Sequence, residues 1–328
     1  MKISNIAIIG CGYWGTIIAK NIRYITNDKI YIYDKNLKNI DIIKKKIKKI
    51  EKIKSINEIY KNPEIKNVFL ITPPTENFKI LKKLIINKKN IFVEKPYLTN
   101  LKNGKIIEKL LKKHKNVFMC GYVYLFNQNI LKIKEIIRKK MLGNILFVKS
   151  LRENLGPIRT DVDCNYDLAS HDLSIMSFLF GNNLKIKKII KHKILNKKNT
   201  DISSIELSHR KTNIEIRTSW LNPEKIRKII IIGSKKMLLF NEIENNNEIK
   251  ILDKYARYPE IKKLGKIIFS KTPKIYSGDY KIIRVKNKSP VLGEIKHFFT
   301  CIKNRKKTIT NVTFSNNVIK LLESTNKS

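Results

Sequence analysis

Short apolar runs alternate with longer segments in which apolar residues recur every three or four positions through roughly the first 120 residues. The run "NIAIIG" predicts a strand, Tyr13 to Tyr24 a helix, and "KIYIYD" a second strand. Leu37 to Ile53 predicts one helix, with Ile43, Ile47 and Ile50 on a common face. A short helix over Ile56 to Lys61 precedes the strand "NVFLITP". A helix from Thr75 to Asn87, the strand "NIFVEKP", a helix from Asn100 to His114 and the strand "NVFMCGY" follow. Near-continuous apolar strands separated by helices are what a parallel sheet covered on both faces requires. The expectation is an α/β Rossmann domain with a doubly wound parallel sheet over residues 1–122.

The pattern changes after about residue 125. Two helical segments remain, roughly Ile130 to Lys140 and Leu168 to Phe180, and strand candidates follow. "SSIELSHRKTNIEIRTSW" alternates apolar and polar residues on either side of a polar turn, as a hairpin does. "KIIIIGSKKMLLF" and "EIKIL" continue in the same way, the Asn-rich "NEIENNNE" reads as a loop tip, and helices over Gly293 to Lys303 and Asn316 to Asn326 close the chain. Residues 123–328 are therefore expected to form an α+β domain on a large, mostly antiparallel open sheet. A length of 328 residues suits two such domains.

A net charge of +42 raises the question of a nucleic-acid partner. The excess is lysine, 59 against 10 arginines, while the planar fork used to read phosphates and base edges is arginine's. Lys, Ile and Asn are abundant everywhere and there are only 4 alanines, as codon drift in an A·T-rich genome would produce. In "IIKKKIKKIEKIK" the lysines form the solvated face of a patterned segment. No specific nucleic-acid partner is expected. The apolar run at the start is too short for a secretory signal, and none reaches the ~18 residues of a membrane span. Cys11, Cys120, Cys164 and Cys301 follow no metal or disulfide spacing. A cytoplasmic protein without a metal is expected.

The candidate chemistry lies at strand ends. In "GCGYWG", Gly10, Gly12 and Gly15 stand between the first strand and the first helix, where a pyrophosphate can rest on a helix N-terminus. Asp34 ends the second strand 19 residues after Gly15, the place of a carboxylate that accepts from ribose hydroxyls and repels a 2′-phosphate. Lys35 beside it would soften a preference for NAD over NADP. "ITPPT", Ile71 to Thr75, ends another strand on the same edge. "NIFVEKPYL" drives a strand straight into Glu94 and Lys95 before Pro96 halts it, a surface charge pair or a held functional lysine. In "YDLASHDLSIMSFLFG", Asp167 and His171 are four apart and share a helical face, as a general base beside its carboxylate or as a packed core histidine.

Taken together, "GCGYWG", "ITPPT", "VEKP", "CGYVYLFN" and "DLASHDLS" resemble, in order and approximate spacing, the Gfo/Idh/MocA oxidoreductases, the family of glucose–fructose oxidoreductase and inositol dehydrogenases. The resemblance spans essentially the whole chain. It implies an NAD(P)-dependent dehydrogenase, with NAD preferred and NADP possible. Cofactor contacts fall to Gly10, Cys11, Gly12, Tyr13, Trp14, Gly15, Asp34, Lys35, Thr72, Pro73, Asn77, Glu94 and Lys95. Lys95 would hydrogen-bond the reacting oxygen, His171 would be the general acid/base and Asp167 its companion, with Tyr124 and Arg159 also binding substrate. The segment "RENLGPIRTDVDCNYDLASHDLSIM" is similar to a sugar-nucleotide sub-group that includes UDP-N-acetylglucosamine 3-dehydrogenase-like proteins. A nucleotide sugar is thus the expected substrate, with an inositol or free aldose as the alternative and a non-catalytic dinucleotide-binding regulator as the rival of another class. A homodimer or homotetramer through the C-terminal sheet is also implied. Three positions depart from common family patterns: Asn77 and Tyr122 stand where histidines are frequent, and Cys164-Asn165-Tyr166 replaces a glycine-rich lead-in.

Overall fold

A computed structural model describes residues 5–160, 162–195, 198–243, 248–263 and 266–326. The Asn-rich stretch at 244–247, expected to be a loop tip, lies outside the described residues. In chain order the first elements are β1 (Ile6–Ile9), α1 (Tyr13–Ile25), β2 (Ile30–Tyr33), α2 (Leu37–Lys46), β3 (Ile50–Lys52) and α3 (Ile56–Lys61). They continue with β4 (Asn67–Leu70), α4 (Pro74–Ile86), β5 (Asn90–Glu94), α5 (Leu101–His114) and β6 (Phe118–Gly121). The six strands form one sheet in the order β3-β2-β1-β4-β5-β6, and every neighbouring pair is parallel. All residues of β1 and β4 are buried, which is why their sequences carry no alternation. The chain winds outward in opposite directions from β1 and β4, so a crevice opens at the carboxyl ends of these two strands.

One expected helix is divided in two. The segment from Leu37 to Ile53 is helical only to Lys46; Ile47 is extended and Lys49 turns the backbone through a φ of 56°. Ile50–Lys52 then pairs with β2, with Ile30 opposite Ile50. The isoleucine spacing fits a helical face and an edge strand alike. The unpaired edge of β2 decides between them by satisfying backbone groups.

The elements that follow are α6 (Gln128–Arg138), β7 (Ile145–Leu155), α7 (Ser170–Phe180), β8 (Lys185–His192), β9 (Ile202–His209), β10 (Thr212–Ser219) and β11 (Leu221–Gly233). Then come β12 (Met237–Asn241), β13 (Glu248–Arg257), β14 (Glu260–Lys263), β15 (Lys266–Phe269), β16 (Lys274–Arg284), α8 (Pro290–Lys303) and α9 (Val312–Asn326). Eight strands make a sheet in the order β16-β13-β12-β11-β7-β10-β9-β8, antiparallel except where β7 meets β10. The expected hairpin is β9 and β10, turning through Arg210 at a φ of 53°. A separate two-stranded ribbon, β14 with β15, was not foreseen.

The chain divides into two compact units, one running to Phe126 together with Lys288–Glu323, the other holding Asn127–Asn287. The expected boundary after residue 122 thus moves by a few residues, and the closing helices, expected in the second domain, return to the first. Within the first unit Phe298 of α8 stands edge-on to Phe69 at 5.5 Å and to Phe92 at 6.0 Å, ring centroid to centroid. The loop after α8 covers the edge of β6: Cys120 N–H donates to the Thr310 carbonyl at 3.0 Å and the Thr308 hydroxyl to the Phe118 carbonyl at 2.7 Å. Amphipathic spacing announces such helices without saying which sheet they cover. All four cysteines are free and buried. Among the described residues no helix is long and apolar enough to cross a membrane.

Candidate active site

Three glycines at the start of α1 do three different jobs. Gly10 sits at a φ of 96°, and a Cβ there would lie 2.4 Å from the Ile71 carbonyl oxygen. A Cβ on Gly15 would lie 2.1 Å from the Gly10 carbonyl oxygen, so the helix packs on the strand through bare backbone. Gly12 is different: a Cβ on it would meet nothing within 4 Å. It faces open space, and as the N-cap of α1 it supplies no side-chain cap. The first-turn N–H groups of α1 therefore point toward an open cradle suited to an anion. These residues fit the pyrophosphate of a dinucleotide.

Beside the cradle a cavity of about 790 Å³ is lined by Gly10, Gly12, Asp34, Thr72, Pro73 and Tyr60, among others. The Asp34 carboxylate is held by three donors: Cys11 N–H at 2.7 Å, Asn36 N–H at 2.7 Å and Asn39 Nδ2 at 3.2 Å. Its orientation is set before any ribose hydroxyl arrives. Lys35 is an exposed lining residue whose Nζ lies 2.7 Å from Glu76 Oε2 in the first turn of α4. Burial and the neighbouring Asp34 push the Cys11 thiol up to about 12, which makes it an inert packing group. Tyr13, an expected cofactor contact, is 83% exposed.

At the end of β5, Glu94 accepts a hydrogen bond from Trp14 Nε1 and another from Lys95 N–H at 3.0 Å. The first turn of α1 is thereby tied to the residue preceding Lys95. Burial raises the Glu94 carboxyl from the ordinary 4.5 to about 7, against the pull of Trp14 and Lys95. Glu294 of α8 is fully buried and held well above its usual range, by burial first and by Glu94 second. The Lys95–Pro96 bond is cis. Asn77, expected at the cofactor, is fully buried instead: its Oδ1 accepts from the Thr72 hydroxyl at 2.6 Å and its Nδ2 donates to the Tyr97 carbonyl at 3.1 Å. It clamps the loop after β4 to the one after β5. Tyr124 lies in a 3₁₀ turn, Val123–Phe126.

The second unit carries the other expected group. Asn165–Ala169 is a π turn leading into α7, so the four-residue spacing of Asp167 and His171 crosses a change of helical pitch. Asp167 accepts from Trp220 Nε1 at 3.2 Å and pairs with Arg159 at 3.7 Å. A smaller cavity, about 380 Å³, is lined by Asp167 with Asn154, Lys225 and Arg227. Asp172 turns inward: Arg152 Nε donates to its Oδ2 at 2.5 Å and the Ser150 hydroxyl to its Oδ1 at 2.8 Å. That buried pair anchors the first turn of α7, which bears His171, to β7. Among the described residues no three His, Cys, Asp or Glu side chains gather as metal ligands would.

Residues 4–122 match a family model described as an oxidoreductase family with an NAD-binding Rossmann fold, Gfo/Idh/MocA. Over these residues the chain is similar to the NAD-binding domain of the Gfo/Idh/MocA oxidoreductases. An uncharacterized oxidoreductase, YrbE of Bacillus subtilis, is 25% identical over 187 residues, a match spanning about half the length of both chains (53% of each). The two-domain fold is shared with UDP-N-acetylglucosamine 3-dehydrogenase GnnA from Acidithiobacillus ferrooxidans: TM-score 0.80, 15% identity, 99% of this chain and 97% of that one. An oxidoreductase from Agrobacterium radiobacter, solved with NAD+, L-tartaric acid and magnesium, superposes with a TM-score of 0.81 at 14% identity, covering 99% and 96%. The Gfo/Idh/MocA cofactor site is therefore NAD-binding, and the glycine cradle with Asp34 is the part of the chain suited to it.

Missing from the sequence reading were Glu76, Asn39 and Tyr60 in the cavity wall and Trp220 beside Asp167. Trp220 lies 53 positions from its partner and only the folded sheet brings it there.

Proposed function

We propose that this protein is an NAD-dependent dehydrogenase that oxidises a secondary alcohol of a sugar, and that the sugar is nucleotide-linked. The observation that carries the reading is the Glu94–Lys95 pair at the carboxyl end of β5, fastened through Trp14 to the first turn of the cradle helix. A structural charge pair has no need of that tie; a lysine that must meet a nicotinamide ring and its substrate does. NAD supplies the hydride acceptor when bound. Lys95 donates a hydrogen bond to the reacting oxygen and keeps it oriented. His171 accepts the hydroxyl proton as hydride leaves the carbon, and Asp167, held by Trp220 and Arg159, binds a neighbouring polar group of the substrate. The segment from Arg152 to Met176, similar to the sugar-nucleotide sub-group, supports the nucleotide-linked choice.

The test is a panel of UDP-sugars, inositols and free aldoses, followed by NADH formation at 340 nm. Turnover confined to a UDP-sugar is the expected result, and turnover only with an inositol or aldose rejects the substrate class. With the active substrate, Lys95→Met and His171→Asn should each lower kcat by ~10²–10⁴-fold. Full activity in either variant would make that residue structural.

A further inference from the structure

The ion pair across the rim of the larger cavity has no place in the reading so far. Lys35 follows Asp34 directly at the end of β2, and its Nζ reaches Glu76 Oε2 in the first turn of α4. All three residues line the cavity beside the glycine cradle. We propose that Glu76 selects the cofactor: by holding Lys35 it withdraws the cation a 2′-phosphate would need, and it sets a second carboxylate beside Asp34 at the rim. This rests on the reading that the cavity receives the adenosine end of the dinucleotide.

The charges support it. Asp34, Lys35 and Glu76 together carry one net negative charge, and a phosphate monoester brings about −1.5 to −2 more at pH 7. NADP must therefore break the Lys35–Glu76 pair or enter against two carboxylates. NAD, whose ribose offers hydroxyls to an Asp34 already oriented by Cys11, Asn36 and Asn39, meets neither obstacle. Lys35 is 72% and Glu76 37% exposed at the side chain, so solvent screens the pair and its effect is graded rather than absolute. Lys79, one turn along α4, also lines the cavity and is unaltered in every variant below. A purely structural role for Glu76, such as favouring the N-terminus of α4, would change NAD and NADP binding alike.

Calorimetric titration of oxidised NAD and NADP against the full chain separates these cases, using wild type, Glu76→Gln, Lys35→Ala, the Lys35→Ala/Glu76→Gln double variant and Asp34→Asn. Glu76→Gln should tighten NADP roughly two- to tenfold at low ionic strength while NAD moves less than twofold. The gain should disappear in the double variant and shrink as salt rises. Lys35→Ala alone should weaken NADP modestly, because it leaves the Asp34 and Glu76 carboxylates without the cation between them. Equal changes for the two cofactors, or a double variant that binds NADP more tightly than wild type does, overturn the proposal. Asp34→Asn tests the underlying reading separately. If it weakens NAD while Glu76→Gln leaves NADP unchanged, the Glu76 proposal alone fails. If NAD binds Asp34→Asn as tightly as wild type, the cavity is not the adenosine site and both fall.

Discussion

Replacing Glu94 by Gln should stabilise the protein at pH 8 and leave it almost unchanged at pH 5. The carboxyl of Glu94 is raised from 4.5 to about 7 because burial penalises its charged form more than Trp14 and Lys95 relieve it. A carboxyl raised on folding contributes stability that is complete below its unfolded pKa and is lost as pH climbs through the folded one. The relevant window is therefore from 4.5 to about 7. A shift of roughly 2.5 units at ~1.4 kcal/mol per unit sets a ceiling near 3.5 kcal/mol. Glu94 keeps a small exposed fraction, so about 2 kcal/mol is the expected loss. Glutamine keeps an oxygen for Trp14 Nε1 and has no charge to desolvate. Urea denaturation of wild type and Glu94→Gln at pH 5 and pH 8, followed by tryptophan fluorescence, measures the difference. If the two stability curves stay parallel across that range, Glu94 does not titrate there and the account of its burial is wrong.

Two further substitutions test the packing that supports the sites. Phe298→Ala removes the ring that meets Phe69 and Phe92 and should cost about 3–5 kcal/mol in urea denaturation; a loss below ~1 kcal/mol would mean that α8 is not part of that core. Asp172→Asn takes one carboxylate away from the buried Arg152 and should cost about 1.5–3 kcal/mol, with an unchanged midpoint refuting the anchoring of α7 to β7.

The parallel sheet was legible because β1, β4 and β5 must be apolar on both faces to sit between helix layers, and their shortness and alternation with helical segments settle the reading. The glycine cradle was legible for a related reason: Gly10 and Gly15 admit no Cβ, so the backbone requirement is written into the residue type. Where the outcome depended on a partner far along the chain, local pattern failed. Ile50 fits the helical spacing of Ile43 and Ile47, yet the edge of β2 claims it. Asn77 holds a position that family likeness gives to the cofactor, but Thr72 and the Tyr97 carbonyl occupy its amide. The π turn over Asn165–Ala169 likewise had no signature in "YDLAS".

The return of Lys288–Glu323 to the first unit has a consequence for how the protein is made. Every cradle and β5 residue discussed above precedes Phe126, but the core behind them is finished by the rings of Phe298 and Phe299, more than 160 residues later. A ribosome adding ~5–20 residues per second needs on the order of ten seconds to deliver the intervening ~160. During that interval the nascent sheet presents Phe69, Phe92 and the edge of β6 without their covers. Newly made chains are thus most exposed to misassembly before residues 288–323 emerge. A nonsense mutation just before residue 288 would disable cofactor binding without touching any residue near the cofactor.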